Sequence, residues 1–334
     1  MAEKKLEGAG LRGQVAGQTA LSTVGKEGKG LTYRGYAIEE LSEKASFEEV
    51  AYMLLYGNLP NQSELSEYKE KLKKYRELPS ELKKVLELIP ASAHPMDVLR
   101  TGCSFLGNIE PEGDFSNQAD ISDRLISIFP SVVCYWYRYS HDGVSIETAT
   151  DHDSIGGHFL SMLTGKEPSE DDARCLDVSL ILYAEHGFNA STFTARTCAS
   201  TLSDLHSCIT GAIGTLRGPL HGGANEAAME MIEKFSSREE ANAGVKKMLE
   251  AKEKIMGHMT AIKKPIAGNA TLATFAEPNS AAAKQISTME VNKISTLRES
   301  IIFNKNRPNT VPAVINPQNV DTAEAPSVCG SSPW

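Results

Sequence analysis

Tyr183-Ala-Glu-His-Gly-Phe-Asn-Ala-Ser-Thr192 and, a helix-length further on, Arg217-Gly-Pro-Leu-His-Gly-Gly-Ala-Asn225 each set a histidine beside glycine at the end of an apolar run. Ahead of the first lies Val178-Ser-Leu-Ile-Leu182, too continuously apolar for a surface helix, so the run is expected to be buried. Gly187 is a helix stop and Asn189 a cap for a helix through Thr192 and Ala199. Gly218 and Pro219 end a second helix, Gly222 and Gly223 let backbone approach a ligand, and Asn225 opens a third. Both imidazoles, His186 and His221, are thereby placed at helix junctions.

A histidine just before a helix N-terminus feels the positive end of the helix dipole, which holds the ring neutral near pH 7. A neutral ring donates one hydrogen bond, the requirement for supporting a carbonyl that is becoming an enolate. A lone histidine in such a place is more often a satisfied core or turn residue, so the pairing carries the functional reading.

Outward from these stretches the chain is helical. Thr19–Val24 and Leu31–Tyr33 flank Gly25-Lys-Glu-Gly-Lys-Gly30 and predict a small hairpin. Ser46-Phe-Glu-Glu49 is a capping box, with Phe47, Val50, Ala51, Leu54 and Leu55 as the apolar face of its helix and Gly57 with Pro60 as its stop. Residues 61–78 alternate Lys and Glu on a largely solvated face. Ser80–Ile89 and Pro95–Leu106 predict two more helices, the second with Met96, Val98, Leu99 and Cys103 inward. Residues 117–140 form a long helical stretch that Pro130 is expected to kink or divide. The aromatic run Val132-Val-Cys-Tyr-Trp-Tyr137 has the spacing of core rather than of a ring-binding surface. Asn225–Phe235 and Arg238–Met256 predict two amphipathic helices.

Composition narrows the classes. With 34 Lys plus Arg against 43 Asp plus Glu and no long basic block, nucleic acid is not an expected partner. No apolar run approaches the ~20 residues of a membrane span, and the charged start is not a signal sequence, so a cytoplasmic protein is expected. Six cysteines without CxxC pairing suit small buried thiols in a reducing compartment. A catalytic thiol at Cys198 or Cys208 has no activating neighbour in sequence. Asp151-His-Asp-Ser-Ile-Gly-Gly-His158 offers two Asp and two His, but at a spacing unlike a zinc helix, and predicts a loop entering a helix. Ser169-Glu-Asp-Asp172 caps the helix that runs towards His186.

Arg217-Gly-Pro-Leu-His-Gly-Gly-Ala-Asn-Glu226 resembles the central histidine motif of the citrate synthase family, and Ala184-Glu-His-Gly-Phe-Asn-Ala-Ser-Thr192 its upstream oxaloacetate-binding motif. Gly17-Gln-Thr-Ala-Leu-Ser-Thr-Val-Gly25, Tyr33-Arg-Gly-Tyr36, Phe47-Glu-Glu-Val-Ala51 and His94-Pro-Met-Asp-Val-Leu-Arg-Thr-Gly102 extend the resemblance over residues 10–257, most like the 2-methylcitrate synthases of bacteria. What the resemblance implies is an all-α fold with a short N-terminal β-hairpin: a large helical domain over 10–221 and the start of a small one over 222–257. It implies condensation of propionyl-CoA with oxaloacetate to 2-methylcitrate, with citrate made from acetyl-CoA. A citrate synthase of the tricarboxylic acid cycle is the alternative, and a non-catalytic helical dimerising protein the alternative of another class. His221 would support the enolate, His186 would hold oxaloacetate, Lys71 would contact substrate, and Lys254, Ile255, Met256 and Gly257 would belong to the coenzyme A site. No metal and no cofactor are implied, acyl-CoA being a substrate. The small residues between Asn189 and Thr215 would lie at a homodimer interface.

After Gly257 the resemblance ends. His258-Met-Thr-Ala-Ile-Lys263 replaces the family's Phe-Gly-His motif, with Thr260 where the histidine is expected. Asn319-Val-Asp321 matches only a fragment of the catalytic aspartate motif, and Thr322-Ala-Glu-Ala-Pro326 follows instead of aromatics. Residues 258–334 hold seven of the fifteen prolines and no tyrosine, so a poorly folded tail arising from loss of the reading frame near codon 257 is expected, with little synthase activity.

Overall fold

The computed structural model describes residues 17–24, 30–219, 221–223, 230–231 and 233–251. The segment 258–334 and its expected character therefore lie outside the described residues.

Three short antiparallel strands come first: β1 (Ser22–Val24), β2 (Leu31–Tyr33) and β3 (Tyr36–Ala37), in the order β1-β2-β3. Ser22 pairs with Tyr33 and Tyr33 with Tyr36, so the expected hairpin gains a third strand. Arg34 (φ 46°) and Gly35 (φ 92°) make the two-residue turn, which needs positive φ at both positions to match the twist of the strands.

Among the described residues the elements that follow are helical: α1 (Ile38–Lys44), α2 (Phe47–Tyr56), α3 (Gln62–Lys74), α4 (Ser80–Glu87), α5 (Pro95–Ile109), a 3-10 turn (Phe115–Asn117), α6 (Gln118–Asp142), α7 (Ile155–Thr164), α8 (Glu170–Tyr183), α9 (Ala190–Ala199), α10 (Leu205–Leu216) and α11 (Arg238–Glu250). The predicted caps hold their helices. Ser46 and Glu49 close a reciprocal capping box on α2, and Ser169 and Asn189 accept from the third residues of α8 and α9.

One core lies between α4, α5, α6 and α10, with Leu82, Leu86, Val98, Leu106, Ile128 and Trp136 buried. Trp136 Nε1 donates to the Ile89 carbonyl at 3.2 Å, so the aromatic run is core, as its spacing predicts. A second core joins the sheet to α1, α2 and α8 through Tyr33, Leu41, Val50, Met53 and Ile181.

Two expectations are corrected. Pro130 sits inside an undivided α6. It removes a donor, yet Ser127 Oγ on one side of it bonds the Leu72 carbonyl and Ser131 Oγ on the other bonds the Arg76 carbonyl, at 2.9 and 2.7 Å, which pins both halves to the end of α3. On α2, Leu55 is exposed and Glu48 is buried. Glu48 Oε1 accepts from the Ile155 N–H at 2.7 Å and so caps α7, a tertiary use that a helical-face reading of the sequence misses. The described part of the last helix ends at Glu250.

Candidate functional site

The first histidine stands on the turn between α8 and α9. Glu185 braces that turn: its Oε1 accepts from the His186 N–H at 2.9 Å, from the Gly187 N–H, and from Ser22 Oγ of β1 at 3.3 Å. Tyr33 Oη of β2 donates towards the carbonyls of Ile181 and Leu182 at 3.0 and 3.1 Å and accepts the Glu185 N–H at 3.3 Å. The small sheet therefore holds the end of α8. Gly187 has φ +76°, a conformation that side chains rarely adopt, and it turns the chain into the Asn189 cap. Gly17 lies against Phe188, over whose ring Arg196 sits at 4.8 Å, so the N-terminal segment closes on this turn.

The second histidine stands on the loop that leaves α10. The Gly222 N–H returns to the Leu216 carbonyl at 2.8 Å, and the N–H groups of His221 and Gly223 both reach the Gly218 carbonyl. A side chain at Gly222 would put Cβ 2.5 Å from the Leu216 oxygen, so glycine is required by the loop itself. His221 Nε2 lies 3.0 Å from Ser191 Oγ, and Ser191 Oγ donates to Asn189 Oδ1 at 2.7 Å. The same Asn189 oxygen caps α9 by accepting the Thr192 N–H at 2.9 Å. A helix cap and the second histidine thus share one hydrogen-bonded chain. With the serine proton committed to Asn189, the ring presents Nε2–H to Ser191; with the hydroxyl turned onto Nε2, the ring proton moves to Nδ1.

Both histidines stand at the start of α9, His186 on the turn before the Asn189 cap and His221 through its contact with Ser191 in the first turn. Burial holds His221 below its ordinary pKa, and the neighbouring His186 opposes its protonation further. His186 is lowered by burial as well. Both shifts favour the neutral ring expected from sequence, with burial as the leading cause where a helix dipole was anticipated.

Lys71 is placed elsewhere. From α3 its Nζ meets Asp123 Oδ2 at 2.6 Å and Asp120 Oδ1 at 2.8 Å, both on α6, and Asp123 also accepts from the hydroxyls of Tyr56 and Tyr68. Lys71 bonds neither histidine among the described residues. Lys254, Ile255, Met256 and Gly257 lie outside the described residues. The acidic stretch at 151–158 enters α7 as a loop, and its members are engaged separately: Asp153 with Lys73 at 2.8 Å, and fully buried His158 between Thr150 and Ser131. Burial raises the Cys208 thiol to about 12 and the Cys103 thiol to about 11, the reverse of an activated nucleophile. Cys175 and Cys198 are only partly buried, short of the expectation for a wholly sequestered thiol set.

Ser191, Glu185 and Tyr33 are the residues to which sequence assigned no role. The signal for the first was present, because a serine two positions after a capping asparagine is near the helix start that faces the next loop.

This almost all-helical body, with two histidines at helix junctions, belongs to the citrate synthase family: the family model described as citrate synthase, C-terminal domain, matches residues 10–264. The match runs a few residues past Gly257. Among relatives, the chain is 66% identical over 259 residues to the 2-methylcitrate synthase of Shewanella oneidensis, covering 78% of this chain and 69% of that one. It is 43% identical over 257 residues to 2-methylcitrate synthase 1 of Corynebacterium glutamicum, covering 74% and 67%. Of solved structures, citrate synthase from Thermotoga maritima aligns at a TM-score of 0.63 and 34% identity over 90% of this chain and 80% of that one. Citrate synthase from Thermoplasma acidophilum, in a ternary complex with carboxymethyl coenzyme A and oxaloacetate, aligns at 0.69 and 26% identity over 85% and 72%. The chain is thus a 2-methylcitrate synthase homologue, of a family of condensing acyltransferases.

Proposed function

We propose that the helical body of this chain serves the condensation of propionyl-CoA with oxaloacetate and water to 2-methylcitrate and CoA, with acetyl-CoA as a second acyl donor giving citrate. The observation that supports the reading is that both histidines flank the start of α9, His186 just before its Asn189 cap and His221 tied to that cap through Ser191, with burial favouring the neutral form of each. In this role His186 holds oxaloacetate. His221, with the Ser191 hydroxyl turned onto Nε2, offers Nδ1–H to the thioester oxygen as a base withdraws the α-proton and negative charge gathers there. Such a donor contributes ~10²–10³ in rate because it acts where charge develops. The enolate carbon then attacks the ketone of oxaloacetate, and water cleaves the thioester. Lys254, Ile255, Met256 and Gly257 complete the coenzyme A site in this reading. Lys71, whose ammonium is set by Asp123 and Asp120 of α6, is the substrate-contacting lysine of this reading. The large domain ends at residue 221 and the small one begins at 222, so the histidine loop is the hinge region between them. The protein works in propionate catabolism, in the cytoplasm, as a homodimer through α9 and α10; α9 buries no residue within the chain, which leaves a face for a second copy.

With Thr260 at the position of the second catalytic histidine, the chain as it stands is expected to condense little or nothing. The test is CoA release, followed by thiol titration, in the chain and in a chimera whose residues 258–334 are replaced by the corresponding part of a 2-methylcitrate synthase. The chimera is expected to recover activity with a higher kcat/KM for propionyl-CoA than for acetyl-CoA, and to lose it on His221→Ala. A silent chimera that is folded, or one unaffected by His221→Ala, would overturn the assignment of the histidines; an acetyl-CoA preference would overturn the substrate.

A further inference from the structure

Ser22 of β1 and Tyr33 of β2 stand directly opposite one another in the sheet, and both reach the α8–α9 turn. They do different things there. The Tyr33 hydroxyl serves the carbonyls of Ile181 and Leu182 and the Glu185 N–H, so the end of α8 is held without the Glu185 side chain. The three donors that meet Glu185 Oε1 all lie outside α8: the consecutive N–H groups of His186 and Gly187, and Ser22 Oγ at 3.3 Å. Two successive amides converging on one oxygen, with Gly187 at φ +76°, make a backbone concavity of the kind that binds anions, here filled by the chain's own carboxylate. Strand β1 lies against it, since a Cβ at Gly187 would be 3.8 Å from Ser22 Oγ and 3.9 Å from a Val24 methyl. On the far side the Asn189 N–H donates to the Gly187 carbonyl at 3.0 Å, and the Asn189 side chain caps α9. His186 therefore stands between two fixed points. Among the described residues no other side chain bonds its imidazole, so the direction of the ring is set through its backbone.

We infer that Glu185 is a positioning residue: by filling the concavity at 186–187 and tying it to β1, its carboxylate sets the direction in which the His186 imidazole leaves the turn. The consequence for substrate rests on the proposed function, in which that ring holds oxaloacetate. Glu185 acts on the keto acid only through the ring. With the concavity empty, two amides lose their acceptor, the turn is released from β1, and the imidazole samples directions that miss the ligand. Position rather than charge is what the arrangement needs, because an amide oxygen in the same place accepts the same three hydrogen bonds.

The test uses the full chain with histidines labelled at Cε1, the His186 resonance being assigned by its loss in His186→Gln. In Glu185→Ala that resonance is expected to move, and the oxaloacetate concentration that half-saturates its shift to rise roughly tenfold, the worth of one charge-assisted hydrogen bond. Glu185→Gln is expected to leave both as they are. Acetate, small enough to enter the space left by the side chain, should return the Glu185→Ala resonance towards its original place and have no effect on the unsubstituted chain. A purely structural loss would show neither rescue. A folded Glu185→Ala with an unmoved His186 ring would overturn the inference, as would a Glu185→Gln as disturbed as Glu185→Ala. Should Glu185→Ala fail to fold, Ser22→Ala removes one donor of the three and should move the His186 resonance by a smaller amount; no movement there overturns the inference as well. A ring that moves in Glu185→Ala yet ignores oxaloacetate even in the unsubstituted chain supports the positioning role and counts against the proposed function.

Discussion

Glu48 gives the molecule a pH dependence that can be isolated by one substitution. Its side chain is 1% exposed, one oxygen caps α7 and the other has no hydrogen-bond partner. Burial, with the charge of nearby Asp177 adding to it, raises the carboxyl from 4.5 to about 7. The folded chain therefore keeps this proton over a range in which the unfolded chain has released it. Stability is greatest below 4.5, falls as pH rises towards 7, and levels off above, where both states are ionised. At about 1.4 kcal/mol per pH unit, the interval from 4.5 to about 7 corresponds to about 3 kcal/mol lost. His158 acts in the opposite sense. Burial lowers it from 6.5 to about 3, so its contribution is present above 6.5 and fades as pH falls through that window. The wild-type profile is the sum of such slopes, and only the difference from Glu48→Gln isolates one of them. Glutamine retains an acceptor for the Ile155 N–H and does not titrate. Urea unfolding followed by helical circular dichroism at half-unit steps from pH 4.5 to 8 should give a wild-type minus Glu48→Gln difference that declines by about 3 kcal/mol across the range. Parallel profiles for the two proteins would refute the buried, proton-holding carboxyl.

Tyr33→Phe removes the hydroxyl shared by Ile181, Leu182 and Glu185, and should cost about 1–2 kcal/mol in urea unfolding, with faster amide exchange at residues 184–187. Asp123→Ala strands the buried hydroxyl of Tyr68 and leaves Lys71 with Asp120 alone, and a loss of about 2 kcal/mol is expected by the same assay; a change under about 0.5 kcal/mol would show the cluster to be dispensable. Gly222→Ala should displace the loop carrying His221 and break its contact with Ser191, which a shift of the His221 ring resonances towards those of an exposed histidine would report. Ser191→Ala in the active chimera should lower kcat with less effect on KM for oxaloacetate, because the serine contacts His221, which is proposed to act on the acyl donor.

Much of the architecture is local and is written locally. Ser46 with Glu49, Ser169, and Asn189 announce helix starts because a cap is chosen by the few residues beside it. The two histidine stretches are legible for the same reason, their glycines marking where the backbone must turn. What periodicity could not supply depends on partners distant in sequence. Glu48 is inside because α7 needs an acceptor 107 residues away, while Leu55, with the better apolar credentials, stays outside. Lys71 looks like one of many solvated lysines until α6 sets Asp123 beneath it, 52 residues on. Pro130 is expected to kink or divide its helix, yet α6 runs through it undivided, with Ser127 and Ser131 on either side bonded to carbonyls at residues 72 and 76. The lowered pKa of the histidines was foreseen in direction, but its cause required knowing how deeply the rings are buried.

The bonds between Tyr33 and the end of α8 span 148 and 149 residues, and that from Ser22 to Glu185 spans 163. The strands therefore leave the ribosome about 150 residues before the turn they join. At 5–20 residues per second they wait roughly 10–30 s for the α8–α9 turn to emerge. Until then Tyr33 has no carbonyls to meet and Glu185 no strand to receive, so His186 can acquire its final position only after the strands return to it. The site is set by a contact of high sequence separation, and its maturation is paced by translation as much as by the speed of helix formation.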